Sequence, residues 1–253
     1  MLVGMVHLPA LPGAPRSALS MDAILTRAVG EAKVLADAGF DAVMLENFGD
    51  TPFVAEHAPP ETVAAMAIVA RAVREQVECQ IGVNVLRNDA FSALGIAAAA
   101  DAAFIRVNVL SGVYATDQGM IRGRAREVLA ARKRLSPDVL IAADVHVKHA
   151  APISQPDIAL AAEETAYRAG ADILIVSGTS TGVATNVDDI RRVKAAVKDR
   201  PVWIGSGVDA KSVAGLLAIA EGAIVGTSLK RGGRTTAELD RKRIREFMKA
   251  ARR

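Results

Sequence analysis

Cysteine is almost absent from this chain. Its 253 residues include one, Cys79, which excludes an intrachain disulfide and suits a reducing compartment. Aromatic residues are scarce at 4%, so a core must be built from Ala, Val, Leu and Ile, within a hydrophobic share of 51%. No sign of charge dominates: 31 Lys and Arg against 28 Asp and Glu leave a formal charge of +3. That is far from the basic extreme of nucleic-acid-binding proteins, and no nucleic-acid partner is expected. Long apolar runs are missing too. The most apolar stretch, 90–104, is Ala-rich and interrupted by Asp101, whereas a membrane-spanning helix needs about 20 apolar residues. No basic segment precedes the strand-like run from Leu2, so no signal peptide is read and a soluble, cytoplasmic protein is expected. Neither a Rossmann fingerprint nor a P-loop occurs, so NAD and ATP are not indicated.

What is present is an alternation. Short β-branched runs lie at 2–8 (LVGMVHL), 41–48, 80–86, 103–109, 139–148 (VLIAADVHVK), 172–178, 201–207 and 223–228. Between them stand stretches such as DAILTRAVGEAKVLADAG and ETVAAMAIVARAVREQV, apolar at helical spacing with charges opposite. Helix stops followed directly by a strand recur in AGFDAV, AGADIL and AEGAIV. Eight strand–helix units imply a parallel sheet with right-handed crossovers, and eight in about 250 residues favour closure into a (β/α)8 barrel. No linker or shift in composition marks a second domain, so one barrel over residues 1–253 is expected.

Strand side chains alternate between faces, and in such a barrel one face meets the helices while the other lines the lumen. Ile81, Val83 and Val85 oppose Asn84; Ile105, Val107 and Val109 oppose Arg106 and Asn108; Val145 and Val147 oppose Asp144, His146 and Lys148; Glu46 shares its parity with Met44. If the apolar sets face the helices, Glu46, Asn84, Arg106, Asn108, Asp144, His146 and Lys148 enter the lumen near the C-terminal ends of their strands. Barrel enzymes keep their active sites on that face. The other reading is an internal salt-bridge network that fills the barrel. Seven polar groups from four strands favour a site, because each buried ion costs several kcal/mol unless its geometry is excellent.

In that site His146 is the acid/base candidate, Asp144 its partner or the base, and Glu46 a second acid/base group. Arg106 would hold oxygen functions, and Lys148 would be a Schiff-base or anion-binding lysine. Asn84 and Asn108 would bind substrate. A divalent metal on Glu46, Asp144 and His146 stays open, although their spacing is not diagnostic; no other cofactor is expected.

Three loops add to this. The first run passes into MVHLPALPGAP, where Pro9, Pro12 and Pro15 stiffen the chain after His7. A stiff loop beside a ligand is cheaper to order on binding. His7 is a further substrate-binding candidate, although it shares its parity with Val3 and Met5, so parity leaves its face open. The loop SGTSTGVATN at 177–186 offers Ser177, Gly178 and Thr179 to sugar hydroxyls or to a closing flap. The last two runs end in IGSGV and VGTSLK. Their Gly205, Ser206, Gly207, Gly226, Thr227 and Ser228, with Lys230 in support, are the phosphate candidates, since loops after strands 7 and 8 bind phosphate in this architecture.

Taken together, GMVHLPALPGAP, DAVMLENFGDTPF, IRVNVLSGVYATDQGMIRG, ADVHVKHA, LIVSGTSTGVAT, IGSGV and GAIVGTSLKRGG resemble the BtpA/SgcQ family, from the first strand to the last. The resemblance implies a TIM barrel of the ribulose-phosphate-binding type. One branch of that family is linked to photosystem I accumulation at cyanobacterial thylakoids, and another to sugar metabolism and nucleosidase-like activity; no catalytic residues carry over. Two functions follow. The first is an acid/base enzyme (isomerase, lyase or nucleosidase) on a small phosphorylated sugar or phosphoribosyl or nucleoside-type metabolite, as a homo-oligomer. The second is a non-catalytic, membrane-peripheral biogenesis factor using the basic segment LDRKRIREFMKAARR, whose plainer reading is a terminal helix with a solvated face.

Overall fold

The period-2 runs pair in parallel and the amphipathic segments return the chain to the same edge each time, so the sheet closes on itself. The computed structural model describes residues 1–178 and 180–252. In chain order the elements are β1 (Leu2–His7), α1 (Met21–Asp37), β2 (Ala42–Glu46), α2 (Pro60–Arg74), β3 (Gln80–Asn84), α3 (Ala90–Ala100), β4 (Phe104–Val107), β5 (Val113–Thr116), β6 (Gly119–Arg122), α4 (Ala125–Leu135), β7 (Leu140–Val145), β8 (Ala150–Pro152), α5 (Ile158–Glu163), β9 (Ile173–Val176), α6 (Val187–Ala196), β10 (Val202–Ile204), α7 (Val213–Leu217), β11 (Gly222–Val225) and α8 (Arg241–Ala251). Eight of the strands form a closed parallel barrel in the order β1-β11-β10-β9-β7-β4-β3-β2. This is the (β/α)8 fold that the alternation implies.

Helix starts are set by side chains that accept the first free N–H groups: Ser20 before α1, Asp89 before α3, Asp157 before α5, Asn186 before α6 and Asp240 before α8. The outer strand faces, including Val43, Leu45, Ile81, Val83, Ile105 and Ile141, pack against helix residues such as Ile24, Leu35, Val69 and Val73. Each such side chain, fully buried, stabilises the fold by about 1.5–3 kcal/mol. The basic C-terminal segment forms α8, which buries Ile244, Phe247 and Met248 and stacks Phe247 on Phe40 at 5.9 Å. Its Arg241, Lys242, Arg245 and Lys249 stay exposed.

The floor of the lumen is apolar. Val3, Met5, Met44, Ile173, Ile175 and Ile224 enclose Phe104 and Trp203, whose rings meet edge to face at 5.4 Å. Gly82 makes this possible, because a Cβ there would overlap the Phe104 ring. Polar side chains sit above this plug, at the C-terminal ends of the strands.

The sequence reading does not anticipate a second, antiparallel sheet, β6-β5-β8. It is built from the segments that follow β4 and β7 and stands at the C-terminal mouth. Forming β8 requires the chain to leave the barrel early. The run expected at 139–148 therefore ends at Val145, and His146 takes a left-handed conformation with φ 56°.

Candidate active site at the barrel mouth

The polar layer has a fixed part and a free part. Arg106 and Asp144, on neighbouring strands β4 and β7, form a two-pronged ion pair: Nε donates to Oδ2 at 2.9 Å and Nη2 to Oδ1 at 2.7 Å. Asp144 also accepts from Asn108 Nδ2 at 2.9 Å and Ser177 Oγ at 3.2 Å. Asn84 Nδ2 donates to the Arg106 carbonyl at 3.2 Å and to Asn108 Oδ1 at 3.3 Å. Asp144 thus receives four hydrogen bonds on its two oxygens and has no side-chain exposure, the bonding of an anchor. Burial of the pair is compensated by this bonding, and one edge of Arg106 still reaches the cavity above.

The free part is Glu46, His7 and Lys148. All three line a cavity of about 180 Å³ at the mouth. The β1 parity places His7 in the lumen beside Val3 and Met5. Its Nε2 lies 3.9 Å from Glu46 Oε1, and Phe48 meets its ring edge-on at 5.0 Å. Burial first, then the charges of Lys230, Lys148 and Arg106, hold the His7 pKa well below its ordinary value, so the ring is neutral at pH 7. Its Nδ1 is buried and, among the described residues, has no partner. Gly226 gives this ring room: a Cβ there would stand 2.6 Å from His7 Cε1. Lys148 lies beyond the end of β7. Burial, aided by the Arg106 charge, pulls its pKa below the usual lysine value, which raises its share of neutral, nucleophilic amine.

The Gly-Ser loops after β10 and β11 line the same cavity with Gly205, Ser206, Gly207, Gly226, Thr227 and Ser228. Their hydroxyls mostly hold the loops together. Ser206 Oγ accepts from Gly178 N at 2.9 Å and donates to Val183 O, and Ser228 Oγ donates to Val208 O at 2.7 Å. Thr227 Oγ1 pairs with Thr235 Oγ1 at 3.0 Å. Among the described residues, the backbone N–H groups of Gly207, Val208, Thr227 and Ser228 have no acceptor in the chain. Unused N–H groups from two glycine-bearing turns on one cavity are the donors an oxyanion needs.

Several expected residues fall elsewhere. His146 does not enter the lumen. The early end of β7 turns it outward, where Nε2 bonds the Gln155 carbonyl at 2.8 Å and Tyr114 meets the ring edge-on at 6.3 Å. Glu46, Asp144 and His146 therefore do not converge as metal ligands. Lys230 is fully buried and donates to Glu31 Oε2 at 3.3 Å, so it is not among the residues that line the cavity. Ser177 and Gly178 use their polar groups on Asp144 and Ser206, and Asn84 lies beneath Arg106 and Asn108. Thr179 lies outside the described residues.

The sequence reading misses Arg87, Thr181, Asp209, Phe48 and Phe53. Asp209 directly follows IGSGV, Thr181 lies inside the singled-out sixth loop, and Phe48 closes the second run. These three were within reach. Arg87 and Phe53 sit on loops without periodicity and gave no signal.

The BtpA family sequence model matches residues 1–253. A Synechocystis protein named photosystem I biogenesis protein BtpA is 44% identical over 98% of this chain and 87% of its own length. Among solved structures, thiamine phosphate pyrophosphorylase from Pyrococcus furiosus superimposes with a TM-score of 0.61 at 16% identity, covering 99% of this chain and 94% of that one. Phosphoribosyl anthranilate isomerase from Thermus thermophilus gives 0.60 at 12%, covering 99% and 98%. At those identities the likeness is one of fold.

Proposed function

The chain belongs to the BtpA family, and for this member of it we propose an enzyme that acts by acid/base chemistry on a small phosphorylated sugar or phosphoribosyl-type metabolite. One observation carries this reading: the N–H groups after β10 and β11 that are unused among the described residues line one cavity with Glu46 and Lys148, whose side chains make no hydrogen bond among the described residues. The loops would bind the phosphate and fix the register of the substrate. Glu46, which bonds no other side chain among the described residues, would take and return the proton. Neutral His7 beside it would donate or accept a hydrogen bond at a substrate oxygen. Lys148 and the free edge of Arg106 would hold developing negative charge. An isomerase, a lyase or a glycosidic-bond hydrolase can be run by these groups. The two phosphate-compound enzymes that share the fold agree with this class of substrate.

A thermal-shift screen of sugar phosphates tests the reading. A ligand at 100 times its Kd stabilises by about 2.7 kcal/mol, a rise of several degrees in Tm. At least one sugar phosphate is expected to do so, and Thr227→Glu, which sets a carboxylate at the phosphate loop, is expected to abolish the rise. A panel without effect, or a rise that survives Thr227→Glu, contradicts it.

The name of the Synechocystis relative supports a second reading, an assembly factor that works at a membrane surface. No helix among the described residues is long and apolar enough to cross a membrane, so contact would run through the exposed basic face of α8. This reading expects salt-sensitive binding to phosphatidylglycerol vesicles that fails when Arg241, Lys242 and Arg245 are changed to Glu. Absence of binding at low salt removes it.

A further inference from the structure

The phosphate cavity is the smaller part of a larger cleft. A second cavity of about 330 Å³ meets it at Glu46, Lys148 and Thr181, which line both. The first cavity falls short of the roughly 300 Å³ at which small-molecule pockets begin, and the second passes it by itself. Their walls differ in kind. The first is glycine, hydroxyl and backbone N–H. The second adds Phe48, Phe53 and Leu86 to a polar set of Arg87, Asn108, Asp117 and His149.

That placement of phenylalanine is informative in a chain with six. Phe40, Phe104 and Phe247 are buried in the core. Phe91 is half-buried on α3 under Arg124, and Phe48 and Phe53 stand half-buried on the loop after β2, both lining this second cavity. Arg87 is held in place, since it is 4% exposed and donates to the Lys148 carbonyl. A planar cation and two aromatic rings lining one cavity offer faces on which a flat, unsaturated ring can stack.

We propose that this second cavity receives a planar heterocyclic ring carried by the phosphorylated sugar, with the sugar lying across Glu46 and Lys148. The inference rests on the phosphate reading above and narrows its substrate class from sugar phosphates at large to ring-bearing ones. The phosphate sets one end of the ligand and the ring the other, so the bond that joins ring to sugar comes to rest at Glu46 and Lys148, which line both cavities.

Isothermal titration of the full chain with ribose 5-phosphate, adenosine 5′-monophosphate and uridine 5′-monophosphate tests this. At least one nucleotide is expected to bind about tenfold or more tightly than ribose 5-phosphate, the scale of stacking one base on an aromatic side chain. Phe53→Ala is expected to remove most of that advantage while leaving ribose 5-phosphate affinity within about twofold of the wild type; Phe53→Trp is expected to keep it. Binding of ribose 5-phosphate with no gain from either ring, or a gain that survives Phe53→Ala, overturns the ring proposal and leaves the phosphate reading standing. No binding of any of the three overturns both.

Discussion

Arg106 and Asp144 lock together across β4 and β7 with two hydrogen bonds of 2.9 and 2.7 Å, both side chains shut away from solvent. A carboxylate held this way cannot serve as a proton shuttle, and a guanidinium held this way is a rigid wall of the site. Removing one partner strands the other charge in the barrel, at a cost of about 3–5 kcal/mol. Asp144→Ala is expected to lose stability of that size in urea denaturation. A loss below about 1 kcal/mol contradicts the anchoring role.

His7 gives a pH signature. Its folded pKa lies well below 6.5, chiefly through burial, whereas in the unfolded chain it titrates near the ordinary value. Below about pH 6.5 the unfolded state therefore binds the extra proton, and stability falls as pH falls. Denaturation between pH 8 and pH 5 is expected to show a steeper loss for the wild type than for His7→Gln. Equal slopes contradict a neutral, buried His7.

Lys148 combines a lowered pKa with a place on two cavities. At pH 7.5 it is expected to react with trinitrobenzenesulfonate ahead of the surface lysines, read by peptide mass spectrometry, and inorganic phosphate is expected to slow that reaction. Lys230, whose pKa burial also lowers, is enclosed and is expected to stay unlabelled. Preferential labelling of surface lysines contradicts the assignment.

Gly82→Ala tests the lumen floor. The added methyl overlaps the Phe104 ring, and overpacking of this kind costs about 1–3 kcal/mol. A corresponding drop in unfolding free energy is expected; a neutral variant means that the floor is looser than described.

The barrel was legible because its cause is periodic. Apolar residues at every second position, broken by amphipathic helices, recur eight times, and parity alone placed Glu46, Asn84, Arg106, Asn108 and Asp144 in the lumen. Parity failed at His146 because it holds only while the strand continues. After Val145 the chain turns at His146 towards β8, which pairs with β5 at Tyr114–Pro152, Ala115–Ala151 and Thr116–Ala150, a contact set by residues far apart in sequence. Parity also left His7 open, since its companions Val3 and Met5 are apolar and nothing local shows that the lumen floor is apolar too. The pairing of Lys230 with Glu31, 199 residues away, was invisible for the same reason.

The central claim is that the turns after β10 and β11 hold the phosphate of a small substrate over Glu46 and Lys148. A crystal structure of the chain soaked with ribose 5-phosphate tests it most directly. The phosphate is expected within hydrogen-bond distance of the Gly207 and Thr227 N–H groups, with the sugar directed towards Glu46. A sugar phosphate bound elsewhere, or those N–H groups facing only water at saturating ligand, would contradict it.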